Sequence, residues 1–169
     1  MRKFFIFLLA VSFCVLLCSC GVPDVKTLSK VLSDPYEAQI AVNDKDNVYT
    51  AAVTYDGYSL SLVFSEPDLL CGITYGFKDG KSYIVYNDLN IPFEPGNKKD
   101  GISGGVLIWK KLLSADGEYT VRRAGEQYIM TDGKTEYRFD KETKIPVFIK
   151  SGDITITFTD FRAKNDQTS

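Results

Sequence analysis

The dipeptide Asp-Gly occurs at Asp56-Gly57, Asp79-Gly80, Asp116-Gly117 and Asp132-Gly133, and the segments around these sites alternate apolar with polar residues or are rich in aromatics. A two-residue hairpin turn of type I′ needs positive φ at both central positions. Aspartate tolerates that conformation and glycine favours it, so Asp-Gly between alternating flanks predicts hairpins. "NDKDN" at Asn43–Asn47 and "KETK" at Lys141–Lys144 read as further turns. Between the turns the period is two. Tyr36, Ala38, Ile40 and Val42 share one face, as do Tyr58, Leu60, Leu62 and Phe64, while Ile154, Ile156 and Phe158 oppose Thr155, Thr157 and Thr159. One apolar and one polar face per strand describes an antiparallel sheet that is wet on one side and covered on the other. The count comes to about ten or eleven short strands. "KIPVFIK" carries Pro146, which predicts an edge strand or an irregular start. "LLCGITY" reads as a strand in which Cys71 is a small buried hydrophobe.

Two segments leave this period. Residues Pro23 to Leu32 place Val25, Leu28 and Leu32 on one side of a short helix. In "DGISGGVLIWKKLLSADG", Val106, Trp109 and Leu113 follow helical spacing beside Ile108 and Leu112. Ser103 is placed to cap the start and Asp116-Gly117 to close the end. A helix this apolar has to lie against something, and the apolar face of the sheet is the available partner.

The N-terminus predicts location. Arg2 and Lys3 precede an apolar run from Phe4 to Leu17. That run is shorter than the roughly 20 residues a membrane helix needs, and it reads as the h-region of a secretory signal, residues 1–19. Leu17-Cys18-Ser19-Cys20-Gly21 resembles a bacterial lipobox, with Leu17 at −3 and Ser19 at −1 from Cys20. On this reading Cys20 receives diacylglycerol, and the protein is a lipoprotein held by palmitate-type acyl chains on the extracytoplasmic side of a cell membrane. The competing reading is an ordinary signal peptide whose cysteines are discarded. An acylated Cys20 leaves Cys71 without a disulfide partner. Residues 20–35 would then form the anchored N-terminus with its helix, 36–162 the sheet domain, and 163–169 a polar tail.

Composition narrows the chemistry. The chain of 169 residues has no histidine and a formal net charge of −2, and loss of Arg2 and Lys3 makes it more acidic. Without histidine there is neither the commonest general base nor a Ser-His-Asp or Cys-His nucleophile system. There is no basic stripe for nucleic acid and no phosphate-cradling glycine loop. The acids are scattered mostly at turns, which is a solvated surface rather than a carboxylate pair. "NDKDN" lacks the glycine and glutamate of a calcium loop. These features predict a protein that is not an enzyme, with no cofactor, no metal and no nucleic-acid partner.

The element order is a short helix, about six strands, an apolar helix, and about five more strands. Together with "LVFSEPDLLCGITYGFKDGKSYIVYND" and "YRFDKETKIPVFIKSGDITITFTDF", it resembles the LolA/LolB-like lipoprotein-carrier superfamily over Tyr36 to Phe161. The resemblance implies a mainly β, α+β fold: a strongly curved antiparallel sheet forming an unclosed barrel, with a helix across the concave face. It also implies a hydrophobic ligand, a lipid or the acyl chains of a lipoprotein, bound in that concavity for carriage or hand-over. The lining would be Leu60, Leu62, Phe64, Ile73, Tyr75, Trp109, Leu112 and Leu113, with Gly104-Gly105 as a hinge. Leu69 and Leu70 sit where the outer-membrane member of the family exposes a leucine toward membrane or cargo; from the residues alone they start the next strand. The family's carrier has an arginine on an early strand, whereas this chain has none between Cys20 and Arg122. The alternative function is a membrane-anchored interaction or sensory module with a solid core, whose partner is another envelope protein.

Overall fold

The computed structural model describes residues 21–45, 47–93 and 118–164. Its one α-helix among these residues, α1, spans Val25–Ser33. Six strands follow: β1 Tyr36–Asp44, β2 Asn47–Tyr55, β3 Ser59–Glu66, β4 Thr74–Lys78, β5 Lys81–Tyr86 and β6 Leu89–Phe93. Five more complete the chain: β7 Thr120–Ala124, β8 Gln127–Thr131, β9 Thr135–Asp140, β10 Pro146–Ser151 and β11 Ile154–Ala163. All eleven form one antiparallel sheet that is not closed, in the order β6-β5-β4-β3-β2-β1-β11-β10-β9-β8-β7. The predicted mainly β, unclosed architecture is therefore the observed one. The predicted helix on Val106–Leu113, with Ser103, Gly104, Gly105, Trp109, Leu112 and Leu113, lies outside the described residues, as do Cys20 and Asp116-Gly117.

The sheet is a meander joined through its middle. β1 pairs with β2 in unbroken register from Tyr36↔Tyr55 to Asp44↔Asn47. On its other side β1 pairs with β11, from Asp44↔Ile154 to Tyr36↔Ala163, with a bulge at Gln39/Ile40. The Lys164 amide donates to the Pro35 carbonyl at 2.8 Å, which carries that pairing one step further. Five connections, β1–β2, β3–β4, β5–β6, β8–β9 and β10–β11, fall at one end of the sheet, here called the Lys45 end.

The turns depart from one uniform type. Asp79 and Gly80 both have positive φ (50° and 79°), as type I′ requires. At Asp56-Gly57 and Asp132-Gly133 only the glycine does (96° and 83°). There the aspartate works through its side chain. Asp56 Oδ1 accepts from the Tyr58 and Ser59 amides at 2.8 and 2.7 Å, and Asp132 Oδ1 accepts from those of Lys134 and Thr135 at 2.9 and 2.7 Å. These are Asx turns, in which a carboxylate stands in for a backbone acceptor. Tyr58 consequently sits in a turn, 84% exposed, instead of sharing the buried face of β3. A type I′-like turn the sequence reading passed over is Asn87-Asp88, with φ of 46° and 66°.

Of the two readings of "KIPVFIK" the irregular start is met and the edge position is not, and two further expectations are corrected. β10 is an interior strand, between β9 and β11; Pro146 marks the irregular start, with a register shift before Phe148. Leu69 and Leu70 do not begin β4; they lie in a 3₁₀ turn, Asp68–Leu70. Cys71 follows that turn and is exposed, not a buried strand residue.

The core lies on one face. Tyr36, Ile40, Ala51, Leu60, Met130, Phe139, Ile149 and Ile156 are all 1% exposed or less and belong to one apolar cluster. Leu28 and Leu32 of α1 are fully buried in the same cluster, so the helix packs on the inner face. The predicted helix, Pro23 to Leu32, matches α1 to within a residue or two at each end.

Candidate functional site

The inner face of the sheet is the candidate site, and the register shows how it is assembled. Leu62 of β3 faces Val53 on one side and Tyr75 on the other. Tyr75 faces Ile84, and Ile84 faces Ile91. One apolar row therefore runs from the centre of the sheet to its β6 edge. Leu60 and Phe64 extend the surface along β3 and are buried, like Leu62. Phe64 packs edge-on against Tyr49 at 6.4 Å and Tyr75 at 5.7 Å. Ile73 is half-buried just before β4, with its carbonyl accepting from the Phe64 amide at 3.0 Å. Of the predicted lining, Leu60, Leu62, Phe64 and Tyr75 share this face and Ile73 adjoins it.

Exposure along the row is uneven. Under α1 the face is closed. Toward the edge it opens, with Tyr86 47%, Leu89 64% and Ile91 52% exposed. These residues face inward by register, since Tyr86 pairs with Leu89 and Ile84 with Ile91. At the same end, Leu69 stands 87% exposed in the β3–β4 connection, while Leu70 packs against the core.

The electrostatics of the inner face are those of a nonpolar surface with a few hydroxyls. Among the described residues the buried polar side chains are Ser82, Thr135 and Ser151, and none is charged. Ion pairs such as Lys164–Glu37 at 2.8 Å and Arg162–Asp160 at 2.8 Å belong to the outer face. A pocket of about 280 Å³ also lies on the outer face, lined by Glu37, Gln39, Thr54, Asp160 and Arg162 among others. Its acids already have cationic partners, and it is not the apolar void that the carriage reading asks for.

The sequence reading missed the far half of the face. Tyr137 of β9 faces Met130 and Ile149 across the ladder and is 1% exposed. Its ring meets that of Tyr119 edge-on at 6.1 Å. Neither hydroxyl makes a well-formed hydrogen bond, although both oxygens are buried and the Tyr119 and Thr135 hydroxyls lie close to that of Tyr137. Beside them, the Thr135 hydroxyl donates to Ser151 Oγ at 3.1 Å. Burial pushes the Tyr137 phenol well above the usual tyrosine range, and Tyr119 and Asp132 nearby push the same way. The available signal was the Thr135, Tyr137, Phe139 alternation in "TEYRFD", which shows the face but not the convergence with Tyr119.

No family profile matches the chain, and no curated protein does. Similar solved structures include an uncharacterized conserved protein from Thermus thermophilus, at 14% identity and TM-score 0.53, covering 83% of this chain and 85% of that one. A LolA superfamily protein from Nitrosomonas europaea aligns at 9% identity and TM-score 0.47, over 85% and 95% of the two chains. A chain of the Pseudomonas aeruginosa MucA/MucB complex aligns at 13% identity and TM-score 0.49; 83% of this chain matches 56% of that one. These likenesses are of fold alone, and the fold observed here is a single unclosed antiparallel sheet with an apolar inner face.

Proposed function

We propose that this chain binds a hydrophobic ligand, a lipid or the acyl chains of a lipoprotein, on the inner face of its open sheet, and carries or hands it over without bond chemistry. The observation that carries the reading is the apolar row from Leu62 through Tyr75 and Ile84 to Ile91, buried at the centre and exposed at the β5–β6 end. A contiguous exposed apolar surface on a folded domain marks a binding site, and aromatic walls suit acyl chains. We place the protein on the extracytoplasmic side of a membrane, anchored by acylated Cys20, with the exposed Leu69 toward membrane or cargo. The chain would not be an enzyme.

A second reading has one observation in its favour. The face under α1 is filled by the chain's own residues, as in a packed module whose partner is another envelope protein. Native mass spectrometry of the chain with residues 1–20 removed separates the two. Carriage expects a co-purifying lipid mass that is lost on Leu89→Lys or Ile91→Lys, both exposed positions where folding tolerates charge. A ligand-free mass that takes up no added lipid selects the packed module instead.

A further inference from the structure

We infer that the inner face has a polar station, the Tyr119 and Tyr137 hydroxyls, that receives the carbonyl oxygen of an acyl ester. This rests on the carriage reading and specifies where the polar end of the ligand sits.

Two phenols with buried oxygens make no well-formed hydrogen bond, on a face whose other buried polar side chains among the described residues are Ser82, Thr135 and Ser151. An unpaired buried hydroxyl is destabilising, and native structures hold few of them. Phenylalanine would fill the same volume at both positions without that cost. Tyrosine there is explained by a group that the hydroxyls meet in the loaded state. The rings lie 6.1 Å apart, and the Tyr137 hydroxyl is close to those of Tyr119 and Thr135, the latter bonded to Ser151 at the Lys45 end of β9 and β10. The station is thus one small polar spot rather than a scatter of groups.

The chemistry of the spot selects the acceptor. Phenolic O–H groups donate, so the ligand atom is an acceptor. A carboxylate is disfavoured. No cation is buried among the described residues of this face, and an unpaired charge in an apolar site is expensive. Asp132 lies close enough to act on Tyr137 electrostatically and would repel an anion. An ester carbonyl carries partial negative charge without a net charge and can accept two hydrogen bonds. Acyl lipids present this group at the head of an apolar tail.

The test compares two probes of like chain length, methyl laurate and dodecane, on the delipidated chain with residues 1–20 removed, which keeps every helix and strand described. Each probe displaces the neutral fluorescent dye phenylnaphthylamine. The wild-type chain should prefer the ester. Tyr119→Phe and Tyr137→Phe should each lower ester affinity about fivefold while leaving dodecane binding unchanged. The same variants, without ligand, should have an unchanged or higher thermal midpoint, because an unpaired hydroxyl has been removed. A structural role moves the readouts differently: the midpoint falls, and both probes weaken together. Equal binding of ester and alkane by the wild-type chain overturns the station but leaves carriage standing. Failure to bind either probe overturns both.

Discussion

At the scale of single residues, the turns show aspartate in two roles. Asp79 takes up positive φ itself, whereas Asp56 and Asp132 keep ordinary backbone geometry and use a carboxylate oxygen to gather two amides each. Asp56 adds a third bond, accepting from Ser59 Oγ at 2.7 Å. The bonds from Ser59 and Tyr58 favour the charged form and lower the Asp56 carboxyl to about 2. A carboxyl depressed in the folded state stabilises fully above its unfolded pKa, and the contribution is lost as the pH falls through the folded value. For Asp56 that window runs from about pH 4 down to about pH 2. Asp56→Asn keeps an acceptor oxygen but removes the titration. Urea midpoints measured across this window should fall more steeply for the wild-type chain than for the variant. Parallel curves would mean that the Asp56 carboxylate adds nothing to the turn beyond what an amide oxygen supplies.

At the scale of elements, α1 shows how a nine-residue helix is held. Asp24 Oδ1 accepts from the Thr27 amide at 2.8 Å, which satisfies one of the free donors at the start. So short a helix is marginal by itself; the buried side of Leu28 and Leu32 anchors it to the sheet. Leu28→Ala should therefore cost about 2–5 kcal/mol in chemical denaturation, and Lys26→Ala on the exposed side should stay within about 0.5 kcal/mol. Equal small effects would place α1 outside the cooperative core. This helix is legible because its apolar residues recur at helical spacing. The β3–β4 connection is not. Its amides bond to carbonyls three residues back, Leu70 to Pro67 and Cys71 to Asp68, and Ile73 repeats the step to Leu70. Local bonding of this kind leaves no mark on a period-two count, which assigns Leu69, Leu70 and Cys71 to a strand. The inner-face residues Leu60, Leu62, Phe64 and Tyr75 are legible because burial fixes strand register face by face. The Tyr119–Tyr137 contact joins positions of no common period, and only the folded chain brings them together.

At the scale of the whole molecule, the first and last strands meet in the middle of the sheet, and its edge strands come from interior segments. β6 and β7 are the open edges, and they carry Pro92 and the Arg122-Arg123 pair. Proline and charge both discourage strand addition at an exposed edge. β11 is the opposite case. It pairs with β1 and β10, joins the first six strands to the last five, and contributes Ile154, Ile156 and Phe158 to the core. These contacts are among the longest in sequence separation, and closing such long loops is entropically costly. The gain comes only when β11 docks, so the two halves should unfold as one unit. A chain ending at Asp153 lacks only β11 and the tail, yet should show no cooperative thermal transition. It should also expose enough of the inner face to bind an apolar dye strongly. Charge reversal at Arg122 and Arg123, in an edge strand paired with β8, should shift the midpoint by about 0.5 kcal/mol or less. If the truncated chain instead keeps a sharp transition, then α1 with β1–β6 is a folding unit in its own right. The β1–β11 seam would then be a docking interface between two stable halves, and the inner face could open along it.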